Sequence, residues 1–312
     1  MSITLYWMQC GGCSGDTMSF LNAESPDIIE FIQMNNIEVL WQPSMSNISH
    51  LEHCNLIERM IEGKQSIDIL CVEGAVLRGP SGTGMYHTYA GKPHKDILHK
   101  LAYAAKYVIA VGTCASFGGI SAMIKNEAYG LQFLKKRKGG FLGSNFKSKS
   151  GLPVINLPGC PCHPSIITGA VSLIVEGSDL DLNKYNIPLQ WYGMTVHQGC
   201  TRNEYHEYRV EDNEFSQRGC MFFHMGCQGP IAYGSCNKIL WNYHSSKTRM
   251  GIPCFGCTMP DFPKPGPFFE TPNIEGTPFE LPDGVDRAHY MAYKSMAAAA
   301  APDRLKKRKT RV

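Results

Sequence analysis

Thirteen cysteines in 312 residues constrain this chain more than any other feature. The first pair, Cys10-Gly-Gly-Cys13, closes the apolar run ITLYWMQ close to the start of the chain. A secretory leader, with its basic and apolar regions, does not fit ahead of Cys10. The chain is therefore expected to be cytoplasmic, with at most a peripheral membrane association, and disulfides are rare in that compartment. Metal or cluster ligation becomes the leading use of the thiols, with a remainder acting as small buried hydrophobes. No segment reaches the roughly 18 consecutive apolar residues of a transmembrane helix. The formal charge is only +3, and much of the positive charge lies in LKKRK (134–138) and RLKKRKTRV (304–312). Neither block interleaves cations with aromatics as a nucleic-acid face does. They read as a solvated loop and a frayed tail, with docking onto a partner or an acidic membrane as the alternative.

The chain is long enough for a large core and for two domains. Four apolar runs punctuate its first half: ITLYWMQ (3–9), IEVLWQ (37–42), IDILCVEG (67–74) and YVIAVGTC (107–114). A fifth is LPVINLPGC (152–160), and helix-like stretches lie at 16–34 and 96–107. Apolar strands alternating with helices predict an α/β domain with a parallel sheet covered on both faces. The strands finish in Cys10, Glu73, Cys114 and Cys160. Strand ends in such sheets form the ligand crevice, so thiols remote in sequence can meet there. After about residue 180 long apolar segments give way to short cysteine-bearing pieces rich in turn residues. The predicted domains are 1–180, a ligand-rich domain at 181–270, and an extension at 271–312. That extension carries an alanine-rich helix, MAYKSMAAAAA (291–301), and the basic tail.

Taken alone, CGGC fits a redox dithiol, half of a zinc site or two ligands of an iron–sulfur cluster. Single cysteines ending separate strands, Cys114 in VGTCASFGG and Cys160 in LPGCPCHP, favour a cuboidal cluster held from several sides. The adjoining glycines let backbone approach sulfide. A second group is His197, Cys200, Cys220 and Cys227, for which zinc also stays open. A third is Cys236, Cys254 and Cys257. Groups of four, four and three donors suggest two four-iron sites and one three-iron site.

In the order CGGC, Glu73–Gly74, VGTCASFGG, LPGCPCHP, HQGC, GCMFFHMGCQGP and PCFGC, the chain resembles the small, electron-transferring subunit of nickel–iron hydrogenases, from Cys10 to about Asp261. The resemblance implies a flavodoxin-like first domain with Cys10, Cys13, Cys114 and Cys160 on a proximal 4Fe–4S cluster. It implies a medial 3Fe–4S cluster on Cys236, Cys254 and Cys257, and a distal 4Fe–4S cluster on His197, Cys200, Cys220 and Cys227. The nickel–iron centre of this family belongs to a large partner subunit, and a higher oligomer of such heterodimers is expected. The implied activity is dihydrogen oxidation at the partner with electron relay here, to an acceptor expected to be quinone-linked. The Cys220–Cys227 interval is one residue longer than in periplasmic members. Gly12 and Gly119 stand where oxygen-tolerant relatives carry extra cysteines, so their six-cysteine proximal cluster is not expected.

Other residues carry alternatives. Asp16 reads first as a helix cap and second as an additional or replacement cluster ligand, with a three-iron or Asp-ligated proximal cluster as the variant. Cys162 is a buried bystander, a thiol behind the ligands or an alternative ligand, whereas Cys54 and Cys71 read as core. Glu73 is structural, or by resemblance a proton-path or interface residue. Trp41, Trp191, Phe222 and Phe223 serve either core or interface. RGPSGTG (78–84) lacks the Gly-Lys-Ser/Thr of a phosphate loop. Lys247 stands where the family usually places a proline beside the absent iron corner, and it is expected to point away, with His244 a less favoured ligand. Two functional alternatives are an electron-transfer subunit of a related quinone reductase and a non-enzymatic zinc-organised binding module.

Overall fold

Five apolar runs form the strands of one parallel sheet in the computed structural model, which describes residues 2–123 and 127–306. They are β1 (Ile3–Gln9), β2 (Ile37–Trp41), β3 (Ile69–Glu73), β4 (Tyr107–Val111) and β5 (Ile155–Leu157). Their spatial order is β2-β1-β3-β4-β5, and every pairing is parallel. This is the flavodoxin-like order, whose ligand crevice opens at the switch point between β1 and β3. The last strand is shorter than its apolar run. Pro153 and Pro158 bound it, and neither has a backbone N–H for the ladder.

Period-two alternation sends the residues of β1 to opposite faces. Tyr6 and Met8 enter a core with Ile57 and Met60 of α3 (His50–Ile61) and with Leu98 and Leu101 of α4 (His94–Ala104). Trp7 faces the other way, stacked at 4.9 Å on Phe20 of α1 (Gly15–Leu21), which meets Phe31 of α2 (Ile28–Met34) edge-on at 5.9 Å. The expected helical stretch at 16–34 is thus two helices. Asp27 starts the second as a capping box, accepting from Ile29 and Glu30 N–H while Glu30 accepts from Asp27 N–H. On the Trp7 side α6 (Pro164–Val175) packs against α1, and α5 (Gly112–Phe117) follows β4 directly. Cys71, within the fully buried β3, is core as expected. Cys54 is not: it sits half-buried on α3 with Sγ 3.6 Å from His50 Nε2, one helical turn away.

The chain divides into two units, Met1–Gln190 with Pro260–Phe262, and Trp191–Met259 with Pro263–Val312. The second holds little regular structure, including α7 (Asn203–Glu207) and α8 (Arg287–Ala299). Its core is made partly of the thiols themselves. Cys227 and Cys254 cluster with Val196, Met221 and Met225, and Cys220 with Phe222 and Phe223. Phe222, Phe223 and Trp191 are therefore buried rather than surface aromatics, and Trp41 stacks half-buried on His53 at 3.7 Å. The expected helix at 291–301 begins earlier, because Asp286 accepts the His289 N–H at its start. The basic tail beyond Lys306 lies outside the described residues.

Deleting the Trp7 side chain should cost about 3–5 kcal/mol, as for other buried aromatics. Cys54→Ala, at the edge of α3, should stay within about 0.5 kcal/mol. Denaturant unfolding followed by far-UV circular dichroism compares the two.

Candidate cluster-binding sites

The carboxyl ends of β1, β3, β4 and β5 are stitched together by backbone and by two buried acids. Cys10 N–H donates to Glu73 O at 2.7 Å, and Gly11 and Ala75 exchange backbone bonds at 2.9 and 2.8 Å. Gly74 has φ +86, and a Cβ there would lie 2.9 Å from the Cys10 carbonyl carbon. Glycine at this position lets the loop after β3 press against the cysteine loop after β1. The Glu73 carboxylate, 1% exposed, accepts from Asp16 N–H at 2.9 Å, Thr17 Oγ1 at 2.5 Å and Trp7 Nε1 at 3.2 Å. A buried carboxylate needs such partners.

Asp16 is not the helix cap. Ser14 holds the cap position, while Asp16 Oδ1 accepts the Cys162 N–H at 2.7 Å. Its Oδ2 lies against Gly112, where a Cβ would fall 2.0 Å away. One side chain on α1 therefore touches the ends of β4 and β5. Burial, with Glu73 adding to it against the Cys162 hydrogen bond, pushes the Asp16 carboxyl up to about 7. Thr113 completes the seam, exchanging hydrogen bonds with Gly159 at 2.9 and 3.0 Å. Around this seam stand Cys10 and Cys114, with Cys13 and Cys160 exposed. Gly15 lies between Cys13 Sγ and Pro161.

In the second unit, His197, Cys200, Cys220 and Cys227 all line one small pocket. His197 sits in a single 3₁₀ turn opened by a Thr195–Gln198 capping box, and its N–H donates to Gly229 O at 3.0 Å. Burial lowers its pKa, keeping the imidazole neutral, as a metal ligand requires. Cys236, Cys254 and Cys257 form the third set; burial raises the Cys236 and Cys254 thiols, and Cys257 adds to the rise in both. The two sets touch, since Cys254 N–H donates to Cys227 Sγ at 3.3 Å. Lys247 is exposed and lies over the Phe255 ring at 5.9 Å, and His244 is exposed as well.

Burial pushes Cys10 up to about 12 and Cys227 and Cys236 up to about 11, with Cys220 and Cys254 also raised well above the usual thiol. Buried thiols of this kind part with their protons only where a cation compensates. Among the described residues no three of His, Cys, Asp or Glu gather closely enough for a single metal ion. The donors that line the pocket, three thiols and one neutral imidazole, have the chemistry that holds iron–sulfur groups.

Four side chains escaped the sequence reading. Lys135, from the basic run read as a solvated loop, turns inward and donates to Gly119 O and Phe262 O, both at 2.7 Å. His94 Nδ1 lies 3.9 Å from Cys10 Sγ. His206 Nδ1 lies 3.5 Å from Cys220 Sγ, its ring against His197 at 4.4 Å, and burial lowers its pKa to about 3. Arg202 lines the cavity and is held by Asp212 at 2.8 Å and by Gly219 O at 2.6 Å. No spacing in the sequence marks any of them.

A flavodoxin-like sheet with thiols at its switch point, joined to a unit whose core is cysteine, defines an electron-transferring iron–sulfur protein. Residues 13–174 match the family described as NADH ubiquinone oxidoreductase, 20 Kd subunit. Residues 192–270 match the family of the C-terminal part of the NiFe/NiFeSe hydrogenase small subunit. The F420 non-reducing hydrogenase I small subunit of Methanosarcina mazei is 31% identical over 284 residues, 82% of this chain and 72% of that one. The quinone-reactive Ni/Fe-hydrogenase small chain of Wolinella succinogenes is 28% identical, over 86% of this chain and 74% of that one. The recombinant [NiFeSe] hydrogenase from Desulfovibrio vulgaris Hildenborough superposes with TM-score 0.73 at 27% identity, covering 86% of this chain and 98% of that chain. The chain belongs to the small subunits of nickel–iron hydrogenases. It is the electron-relay component of a hydrogenase, carries iron–sulfur clusters and pairs with a large subunit.

Two substitutions test this geometry. Gly119→Ala would bring a Cβ within 2.6 Å of Cys114 Sγ at φ +52, so the variant complex should hold less iron than wild type, by iron analysis. For Asp16, a raised folded pKa means stability is fully present below the ordinary aspartate value and is lost as pH rises toward about 7. Asp16→Asn keeps an acceptor for Cys162 N–H. Its stability relative to wild type should therefore grow between about pH 4 and pH 7, by up to roughly 4 kcal/mol, in denaturation midpoints across that range.

Proposed function

We propose that this subunit relays electrons released by dihydrogen oxidation in its partner through three sites. Cys10, Cys13, Cys114 and Cys160 hold a proximal 4Fe–4S cluster. Cys236, Cys254 and Cys257 hold a medial 3Fe–4S cluster, and His197, Cys200, Cys220 and Cys227 a distal 4Fe–4S cluster. The observation that carries this reading is the cavity lined by all four distal donors. When bound, such clusters supply one-electron redox steps at potentials tuned by charge, hydrogen bonds and solvent access.

The chain's own groups prepare those sites. Backbone N–H groups aim at the sulfurs: Ile120 at Cys114, Phe222 at Cys220, Gly229 at Cys227, and Gly256 at Cys254 at 3.4 Å. Such donors withdraw charge from a thiolate and fix its orientation. The Cys254 N–H to Cys227 Sγ bond joins the medial donors to the distal ones by a short bonded path. Asp16 acts as a tether, with Oδ1 committed to the Cys162 amide rather than to iron. Lys247, exposed over Phe255, leaves three thiolates for the medial site, which favours three irons. Glu73 is the buried post of the proximal seam.

Partner docking is supported by exposed apolar residues on segments leaving the sheet's carboxyl edge. Met18 follows β1, Met85 and Tyr86 follow β3, and Ile120 and Met123 follow β4, all more than half exposed. Apolar surface of this kind marks an interaction face. Thirteen cysteines read as ligands and core thiols rather than as disulfides suit a reducing, cytoplasmic setting. Among the described residues no helix is long and apolar enough to cross a membrane. A quinone-linked acceptor rests on the likeness to the Wolinella succinogenes quinone-reactive chain.

Spectroscopy of the anaerobically purified complex tests the reading. An oxidised three-iron EPR signal is expected beside two four-iron clusters, with iron in matching amount. Lys247→Cys should abolish the three-iron signal and yield a further four-iron one. A colourless, fully folded protein with stoichiometric zinc would refute the assignment.

A further inference from the structure

We propose that Lys135 is a positioning and tuning residue of the proximal site: its ammonium holds the turn that touches Cys114 and raises the reduction potential of the group bound there. The inference rests on the assignment of Cys10, Cys13, Cys114 and Cys160 to that site.

Lys135 occupies the turn between the short strands Phe133–Leu134 and Arg137–Lys138. It takes φ 52, and its backbone N–H donates to Phe117 O at 2.9 Å. This left-handed turn directs the side chain back into the unit, where Nζ donates to Gly119 O and Phe262 O. Gly119 is the residue packed on Cys114 Sγ, and the next amide, Ile120, donates to that sulfur. The cation therefore sits one residue behind the sulfur contact and braces it. Carbonyl oxygens satisfy its protons without cancelling its charge. The carboxylate acting on it is Asp261, and Lys136 engages Asp261 as well, at 2.7 Å. Burial lowers the Lys135 pKa, while Asp261 and Cys114 pull it back up.

A fixed positive charge favours whichever redox state carries more negative charge, which is the reduced state. In a partly dry site this acts more strongly than in water. Lys135→Met should therefore move the proximal potential downward, and Lys135→Arg should retain most of it. Asp261→Asn removes a negative charge beside the same ammonium and should move the potential upward. A purely structural role for the two residues would not produce shifts of opposite sign.

The measurement is an EPR-monitored redox titration of the purified complex with its large subunit. In Lys135→Met the reduced-to-oxidised ratio of the proximal cluster at fixed potential should fall about tenfold, a shift of about 59 mV for one electron. The other clusters should titrate as in wild type. If Lys135→Met does not assemble, Asp261→Asn decides, and an unchanged or lowered potential there overturns the inference. Equal shifts in Lys135→Met and Lys135→Arg, or none in either, also overturn it. A wild-type complex lacking a cluster on these four cysteines would instead remove the assignment beneath it.

Discussion

The carboxylate of Glu73 is the interaction on which the first unit depends. It lies at the end of β3, buried, and binds the Asp16 amide, the Thr17 hydroxyl and the Trp7 indole. These donors come from α1 and β1, so one acid joins the two strands that flank the switch point to the helix after the cysteine loop. Asp16 carries the tie onward to Cys162 and Gly112. Removing Glu73 would leave three buried donors unsatisfied, each costing on the order of 1–3 kcal/mol. The seam at the strand ends is thus built from hydrogen bonds that contain no sulfur.

The second unit solves a different problem. It has few long strands or helices to bury, and its thiols stand among Val196, Met221, Met225, Phe222 and Phe223 as part of the core. Burial makes those thiols reluctant acids. Stability and cofactor binding are therefore coupled, because a buried thiol gives up its proton only where a bound cation and hydrogen bonds compensate the charge. Arg202 and Asp212 work to the same end: their ion pair and the Gly219 N–H bond at 2.7 Å hold the loop that carries Cys220.

The sheet was legible because β-strands buried on both faces read as unbroken apolar runs, and the run ITLYWMQ corresponds to Ile3–Gln9 residue for residue. Strand ends marked by cysteine and glutamate pointed to the crevice. The split of the 16–34 segment was written locally too, in the Asp27–Glu30 capping box, although the apolar pattern masked it. Asp16 was misread because its partner, Cys162, lies 146 residues away. Lys135 was misread because a run of four cations looks solvated until one residue adopts a left-handed turn and faces inward.

By itself, the sequence determined the donor inventory, the order of the cysteine motifs, the parallel sheet and the membership of the hydrogenase small subunits. The inventory and the sheet follow from residue type and backbone periodicity, which chemistry constrains directly, whereas the membership rests on the likeness of the ordered motifs to a known family. The tertiary structure alone decided which groups stand behind the donors: Glu73 and Asp16 at the seam, His206 beside Cys220, and Lys135 behind Cys114. Electrostatics and hydrogen bonding depend on distance in space, and a folded chain brings together at about 3 Å residues that no sequence spacing relates.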